Sequence, residues 1–320
     1  MNILEINGLN VSFTTEDGDL HALRDVSFSV PEKSIVGVVG ESGCGKSTLI
    51  NSVLGLLAQN GQIDAGEVLF KGQDLLKLSH EQMQDIRGIN IATVFQDPMG
   101  ALNPVISVGK QMEHIQYRSS QTKSEKKQKA IEMLRRVRIP DPVAAYARYP
   151  HEFSGGMKQR IAIAMALMME PDLLIADEPT TALDATLEVA TIELLKDLQE
   201  QIGCSVLFIS HHLGVIAELC DDVVVMYAGE VVECGTTRQI FNTPLHPYTS
   251  KLLACDPARQ GTDDQGAMPT IPGEIPDLRL HHQGCIFAGR CHLREDICTQ
   301  TPPDIARGNH IARCHKVTSC

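Results

Sequence analysis

The sequence predicts an α/β fold, and two observations carry that prediction. The first is a strand, a loop and a helix in succession: the apolar run Ser34-Ile35-Val36-Gly37-Val38-Val39, the stretch Gly40-Glu41-Ser42-Gly43-Cys44-Gly45-Lys46-Ser47-Thr48, and then Leu49-Ile50-Asn51-Ser52-Val53-Leu54. The second is a series of further buried runs, ending at Phe95, Asp177 and Ser210, set among helical stretches.

The loop fits the pattern G-x-x-x-x-G-K-[ST] in the strand-to-helix context that the pattern requires. Its glycines turn the backbone inward, so that consecutive N–H groups and a helix N-terminus point at one spot where a di- or triphosphate is favoured. The chain is therefore expected to bind a nucleotide with Gly40, Ser42, Gly43, Cys44, Gly45, Lys46, Ser47 and Thr48. Lys46 would reach the β- and γ-phosphates, Ser47 would hold Mg²⁺, and Thr48 would lie near the α-phosphate.

Composition narrows the remaining classes. A chain of 320 residues, 43% hydrophobic and 21% charged, can bury a sizeable core as one large domain or two smaller ones. Its net charge of −12 argues against a nucleic-acid partner, because phosphate contacts need clustered Lys and Arg. The one basic run, residues 123 to 129, includes Glu125 and reads as a solvated helix face. No apolar run approaches the roughly 20 residues that cross a bilayer, and no basic leader precedes an apolar segment at the start. A cytoplasmic location is expected. In that compartment ten cysteines are metal ligands, reactive thiols or core fillers rather than disulfides.

Taken in order, Ile3, Leu4, Ile6, Leu9, Val11 and Phe13 mark an N-terminal antiparallel strand, followed by a turn at residues 16 to 19 and a second strand over about 21 to 30. Phe13 alone is a core aromatic; the later motifs make it a candidate to stack on adenine. A strand over 89 to 95 ends at Gln96-Asp97-Pro98, where Gln96 could ligate Mg²⁺ and sense the γ-phosphate. Residues 98 to 149 turn mainly helical, with a helix from about 124 that carries Ala130, Ile131, Leu134 and Val137 on one face and stops at Ile139-Pro140-Asp141-Pro142. Ser154-Gly155-Gly156 opens a helix over 157 to 169 and makes a second anion site. A buried strand over 172 to 179 ends in Asp177, suited to Mg²⁺ through water, and Glu178, able to polarise an attacking water. Ala182-Leu183-Asp184 follows, and the strand over 205 to 210 places His211 where an imidazole could touch the γ-phosphate.

These residues resemble the ATP-binding subunits of ABC transporters over roughly residues 3 to 250: a phosphate loop, Gln96 as the Q-loop, Ser154-Gly155-Gly156-Met157-Lys158-Gln159 as the signature, Asp177-Glu178 as Walker B with its base, Ala182-Leu183-Asp184 as the D-loop and His211 as the switch histidine. The resemblance implies a P-loop NTPase with a RecA-like core and antiparallel β subdomain at residues 1–96 and 154–254, a helical subdomain at 97–153, and a small cysteine-rich extension at 255–320. It implies a head-to-tail dimer in which Ser154, Gly155, Gly156 and Gln159 serve the partner's nucleotide and Asp184 links the two sites. Two departures stand out. The signature begins F-S-G-G-M where L-S-G-G-Q is commonest, and His212 follows the switch histidine where Asp is usual.

Short stretches narrow the branch. Phe95-Gln96-Asp97-Pro98-Met99-Gly100-Ala101-Leu102-Asn103-Pro104, Met226-Tyr227-Ala228-Gly229 and Pro244-Leu245-His246-Pro247-Tyr248-Thr249 are similar to the ATPases of oligopeptide and dipeptide importers, a branch that also contains nickel importers. That implies an ATPase at the cytoplasmic face of the membrane, working with a second, different ATPase subunit, two permease subunits and an extracytoplasmic substrate-binding protein. A nickel importer and a soluble ABC ATPase acting on DNA or ribosomes stay as alternatives.

Residues 256 to 283 read as a Pro-, Gly- and Asp-rich linker. Cys285, Cys291, Cys298 and Cys314 then follow with the spacing C-x5-C-x6-C-x15-C, while Cys44, Cys204, Cys220, Cys234 and Cys255 are scattered and read as structural, and Cys320 as a free thiol. Four thiolates suit Zn²⁺ or an iron–sulfur cluster. The resemblance of Gly284-Cys285-x-Phe287-x-x-Arg290-Cys291 to peptide-importer ATPases implies a [4Fe-4S] cluster, and His281, His282, His292, His310 and His315 keep a mixed zinc site open.

Overall fold

The computed structural model describes residues 1–96, 98–180, 184–256, 270–280 and 282–317. The first stretch carries β1 (Asn2–Thr15), β2 (Gly18–Pro31), β3 (Ile35–Val39), α1 (Lys46–Leu54), β4 (Gly61–Phe70) and β5 (Gln73–Asp74). Next come α2 (His80–Ile86), β6 (Ile91–Val94), α3 (Pro98–Ala101), α4 (Val108–Ile115), α5 (Lys123–Arg136), α6 (Pro142–Ala147), α7 (Gly155–Leu167), β7 (Leu173–Asp177), α8 (Ala185–Ile202) and β8 (Ser205–Ile209). The chain closes with α9 (Leu213–Leu219), β9 (Asp222–Tyr227), β10 (Glu230–Thr236), α10 (Thr237–Asn242), α11 (Pro247–Ala254), β11 (Asp304–Arg307) and β12 (His310–Arg313). Two compact units result: residues 1–78 with 209–320, and residues 79–208.

In the first unit, β2, β1, β4 and β5 form an antiparallel sheet in that order. β1 buries Ile3, Leu4, Ile6, Leu9 and Val11, each contributing about 1.5–3 kcal/mol of transfer free energy. β3 is buried at all five positions, as a strand covered on both faces must be. It pairs in parallel with β9 from Val36–Asp222 to Val39–Val225, and β10 and the β12–β11 hairpin continue that sheet antiparallel. Glu233 on β10 is the polar pivot of this edge. Its carboxylate, 0% exposed, pairs with His310 Nε2 at 2.7 Å and accepts the N–H groups of Leu245 and His246 at 2.7 and 2.9 Å.

In the second unit, β6 and β7 run parallel, from Ile91–Leu173 to Val94–Ala176. α5 starts on a capping box: Thr122 N–H donates to Glu125 Oε2 at 2.7 Å and Glu125 N–H donates to Thr122 Oγ1 at 3.3 Å. Ala130, Ile131 and Leu134 fall on its buried face as the periodicity predicts. The helix stops earlier than the Pro140-Asp141-Pro142 signal, because Arg138 takes a left-handed φ of +58°.

The tail is not merely a linker. Phe287, 0% exposed, lies 5.1 Å from the Tyr227 ring, 5.4 Å from Tyr248 and 5.9 Å from His246, centroid to centroid. Residues 270–280 have no regular element, yet Leu278 C=O accepts the His21 N–H at 3.0 Å. The linker's residues 257–269, along with Asp97, Ala182, Leu183, His281 and Cys320, lie outside the described residues.

Candidate functional site

The phosphate loop joins β3 to α1, and the packing around it requires glycine. A Cβ on Gly40 would stand 2.2 Å from Met226 O, and one on Gly45, where φ is +104°, would meet Ala22 O at 2.9 Å. Gly45 is the N-cap of α1 and offers no side-chain cap, leaving the first N–H groups of the helix to be met by an anion. Ser42, Gly43 and Ser47 are exposed, Thr48 is half-buried, and Cys44 is 1% exposed. Burial raises the pKa of the Cys44 thiol against the opposing pull of the Lys46 ammonium, so it packs as a small apolar group. Lys46, 8% exposed, folds back: Nζ donates to Gly40 O at 2.7 Å and Glu41 O at 3.1 Å. It thereby holds the loop's opening residues in a ring around its own charge.

His211 follows β8 and is exposed. His212 N–H donates to Ser210 Oγ at 3.0 Å, and its ring packs edge-on against His211 with centroids 4.4 Å apart. The support expected from Asp is thus replaced by a ring contact. Phe13, half-buried on β1, lies over Gly61, where any side chain would strike its ring at 2.7 Å.

In the second unit the parallel pairing of β6 and β7 sets Gln96 and Glu178 beside each other, with Gln96 Nε2 donating to Glu178 Oε2 at 3.3 Å. Asp177 is the last residue of β7. Glu178 has a left-handed φ of +45°, a conformation that costs a non-glycine residue about 1–3 kcal/mol and concentrates at functional sites. Ser154 caps α7 by accepting the Met157 N–H at 3.4 Å, and Ser154 and Gly155 are exposed. Gly156 is buried, with a Cβ there falling 3.1 Å from Leu187. Gln159 is 1% exposed, and among the described residues its Nε2 has no hydrogen-bond partner, so it is not at the surface that Ser154 presents. Asp184 caps α8, accepting the Leu187 N–H at 2.9 Å.

Burial pushes the Cys285 thiol up to about 11, with Cys314, Cys298 and Cys291 adding to the shift, and burial likewise raises Cys291 and Cys314. Among the described residues, however, no three His, Cys, Asp or Glu side chains are gathered as one metal ion would need. Three of the histidines held open for zinc are engaged elsewhere: His310 with Glu233, His315 with Gln300 O at 3.1 Å and His282 with Asp277 O at 2.9 Å.

Two residues that sequence reasoning gave no role touch the phosphate loop. Tyr248 Oη accepts the Glu41 N–H at 3.1 Å, and Arg290 pairs with the Glu41 carboxylate at 2.7 Å. Hydrogen bonding to Glu41 is the main cause raising the Arg290 pKa. These contacts span more than 200 residues of chain, which no local pattern announces.

Residues 23–181 match the ABC transporter family, and residues 232–298 match the C-terminal region of oligopeptide/dipeptide transporters. A probable peptide ABC transporter ATP-binding protein of Sinorhizobium fredii is 46% identical, covering 98% of this chain and 94% of that protein. The dipeptide transport ATP-binding protein of Bacillus subtilis is 45% identical with the same coverage. Among solved structures, a dimeric ATP-binding cassette in a post-hydrolysis state with ADP and phosphate aligns with a TM-score of 0.65 at 27% identity, covering 73% of this chain and 99% of that one.

Proposed function

The chain belongs to the ATP-binding subunits of peptide ABC transporters, and from that premise we propose how it energises the uptake of di- and oligopeptides. The observation that carries the reading is the phosphate loop, with Lys46 turned into it at the head of an uncapped α1, on the same chain as a peptide-transporter C-terminal region. The named relatives are peptide transporters, which favours peptides over the nickel alternative and over a soluble ATPase.

In this reading Gly40, Ser42, Gly43, Cys44, Gly45, Lys46, Ser47 and Thr48 take the phosphates and Phe13 stacks on adenine. Ser47, Gln96 and Asp177 supply the hydroxyl, amide and carboxylate oxygens that suit Mg²⁺, a hard cation usually held by one or two carboxylates together with substrate phosphates. Bound there, Mg²⁺ would neutralise charge on the β- and γ-phosphates. Glu178 draws a proton from the attacking water, and its contact with Gln96 ties that base to the residue that senses the γ-phosphate. His211 stabilises the charge that develops on the γ-phosphate.

Ser154 and Gly155 present the α7 N-terminus to a partner's nucleotide, Asp184 links the two sites, and hydrolysis opens the dimer. A similar cassette solved as a dimer supports the pairing of two such chains. The second ATPase, two permeases and a substrate-binding protein complete the assembly. No helix among the described residues is long and apolar enough to cross a membrane, so attachment at the cytoplasmic face would be peripheral.

For the tail we infer a [4Fe-4S] cluster on Cys285, Cys291, Cys298 and Cys314, with Zn²⁺ as the alternative. What supports it is the set of four cysteines and the likeness of Gly284-Cys285-x-Phe287-x-x-Arg290-Cys291 to peptide-importer ATPases; among the described residues no three such side chains are gathered as one metal ion would need. Iron and acid-labile sulfide in anaerobically purified protein, lost in Cys285→Ser, would support the cluster; stoichiometric zinc would replace it. The function itself is tested by ATPase activity of the full complex with its binding protein. Stimulation by di- or oligopeptides is expected, and stimulation by Ni²⁺ alone would overturn the substrate assignment.

A further inference from the structure

Glu41, the second residue of the phosphate loop, is held by all of its polar groups. Its carbonyl accepts from Lys46 Nζ at 3.1 Å and its N–H donates to Tyr248 Oη at 3.1 Å. Its carboxylate takes both arms of the Arg290 guanidinium, Nη1 at 2.7 Å from Oε2 and Nη2 at 3.1 Å from Oε1. The remaining donors of Arg290 are also satisfied: Nε by Pro272 O at 3.1 Å, Nη2 by Ile271 O at 2.8 Å and Nη1 by Tyr227 Oη at 3.3 Å. With its side chain 6% exposed, the guanidinium spends all five of its N–H bonds inside the protein.

Such a fork is geometrically demanding, because a bidentate guanidinium–carboxylate pair fixes orientation as well as distance. Docking the tail does not by itself call for it, since Phe287 already sits in a socket of Tyr227, Tyr248 and His246. What the fork adds is a rigid hold on the residue next to Gly40, whose carbonyl is the other tether of Lys46. We propose that Arg290 is a positioning residue for the nucleotide site: through Glu41 it sets the backbone at positions 40 and 41, and so the place where Lys46 meets the phosphates. The proposal rests on the phosphate loop binding ATP, and it makes the C-terminal extension part of the apparatus that does so.

The test is ATP affinity of the full-length protein, read by titration with a fluorescent ATP analogue, with KM and kcat measured on the assembled transporter. Arg290→Lys keeps the charge but loses the fork, and Glu41→Gln keeps the shape but loses the carboxylate. Both should weaken ATP binding on the order of tenfold and raise KM more than they lower kcat. Arg313→Leu serves as the control for a merely loosened tail, since it loses the ion pairs to Asp304 and Asp25 without touching Glu41 or Arg290: it should lower thermal stability while ATP affinity stays at the wild-type value. Wild-type affinity in both Arg290→Lys and Glu41→Gln, or an equal loss in Arg313→Leu, would overturn the positioning role. If the wild-type chain itself bound no ATP, the functional reading would fall and this inference with it.

Discussion

Replacing Phe287 by Ala tests how the C-terminal extension is held. The ring is fully buried and packs edge-on to Tyr227 and Tyr248, pairs that contribute about 0.5–1.5 kcal/mol each beyond area burial. Phe-to-Ala changes in cores cost about 3–5 kcal/mol, the larger values arising where the surroundings cannot collapse. Collapse is restricted here, because Tyr248 Oη is tied to the Glu41 N–H and Tyr227 Oη to Arg290. A loss of about 4 kcal/mol is therefore expected, on the order of a thousandfold in the equilibrium for undocking. Native-state hydrogen exchange reads it directly. The amides of Cys285, Ala288 and Arg290, bonded within the tail at 3.0 Å each, should exchange about a thousand times faster, while those of β6 and β7 stay protected. Unchanged protection across 285–298 would refute the claim that this ring holds the extension in place.

Three further outcomes follow from the same structure. Glu178→Gln should lower kcat about 10²–10⁴-fold while ATP binding and a closed dimer persist, seen by single-turnover hydrolysis and sedimentation; normal turnover would remove Glu178 as the base. Lys46→Ala should weaken ATP binding by at least tenfold in the same titration used for the wild-type chain, and unchanged affinity would count against the phosphate loop. His246 is buried and held neutral, its pKa driven by burial from the usual 6.5 down to about 3. Between those values the unfolded chain binds a proton that the folded chain refuses, so stability is full above pH 6.5 and falls as pH drops toward 3, by at most about 1.4 kcal/mol per pH unit. His246→Asn keeps an acceptor for the Tyr248 N–H and should flatten urea midpoints measured from pH 5 to 7; an identical slope would exclude His246 as its source.

What the sequence made legible was local. The strand-loop-helix around Lys46, the helix opening at Ser154 and the apolar face of α5 at Ala130, Ile131 and Leu134 are each written within ten or so residues, where periodicity and turn chemistry act. Pairings over long stretches of chain left no such mark: Arg290 on Glu41, His310 on Glu233, and the β11–β12 hairpin that extends the sheet. Gln159 was placed by resemblance alongside Ser154, and only three-dimensional packing turns it inward. The cysteine spacing singled out four thiols but could not say whether they would gather, and among the described residues no three ligating side chains do so as one metal ion needs.

The buried carboxylate of Glu233 has a consequence for anyone who would treat the extension as a detachable module. A chain cut after α11 would keep that carboxylate in the sheet while removing the imidazole that answers it, and would strand Glu41 without its guanidinium. Leaving a buried polar group such as Glu233 without its hydrogen-bond partner costs about 1–3 kcal/mol. A graft onto another cassette faces the mirror-image requirement: the recipient must already carry a carboxylate at each of these two places and two tyrosines to receive the phenyl ring. The extension is in this sense keyed to its host, and exchange between cassettes would succeed only where lock and key travel together.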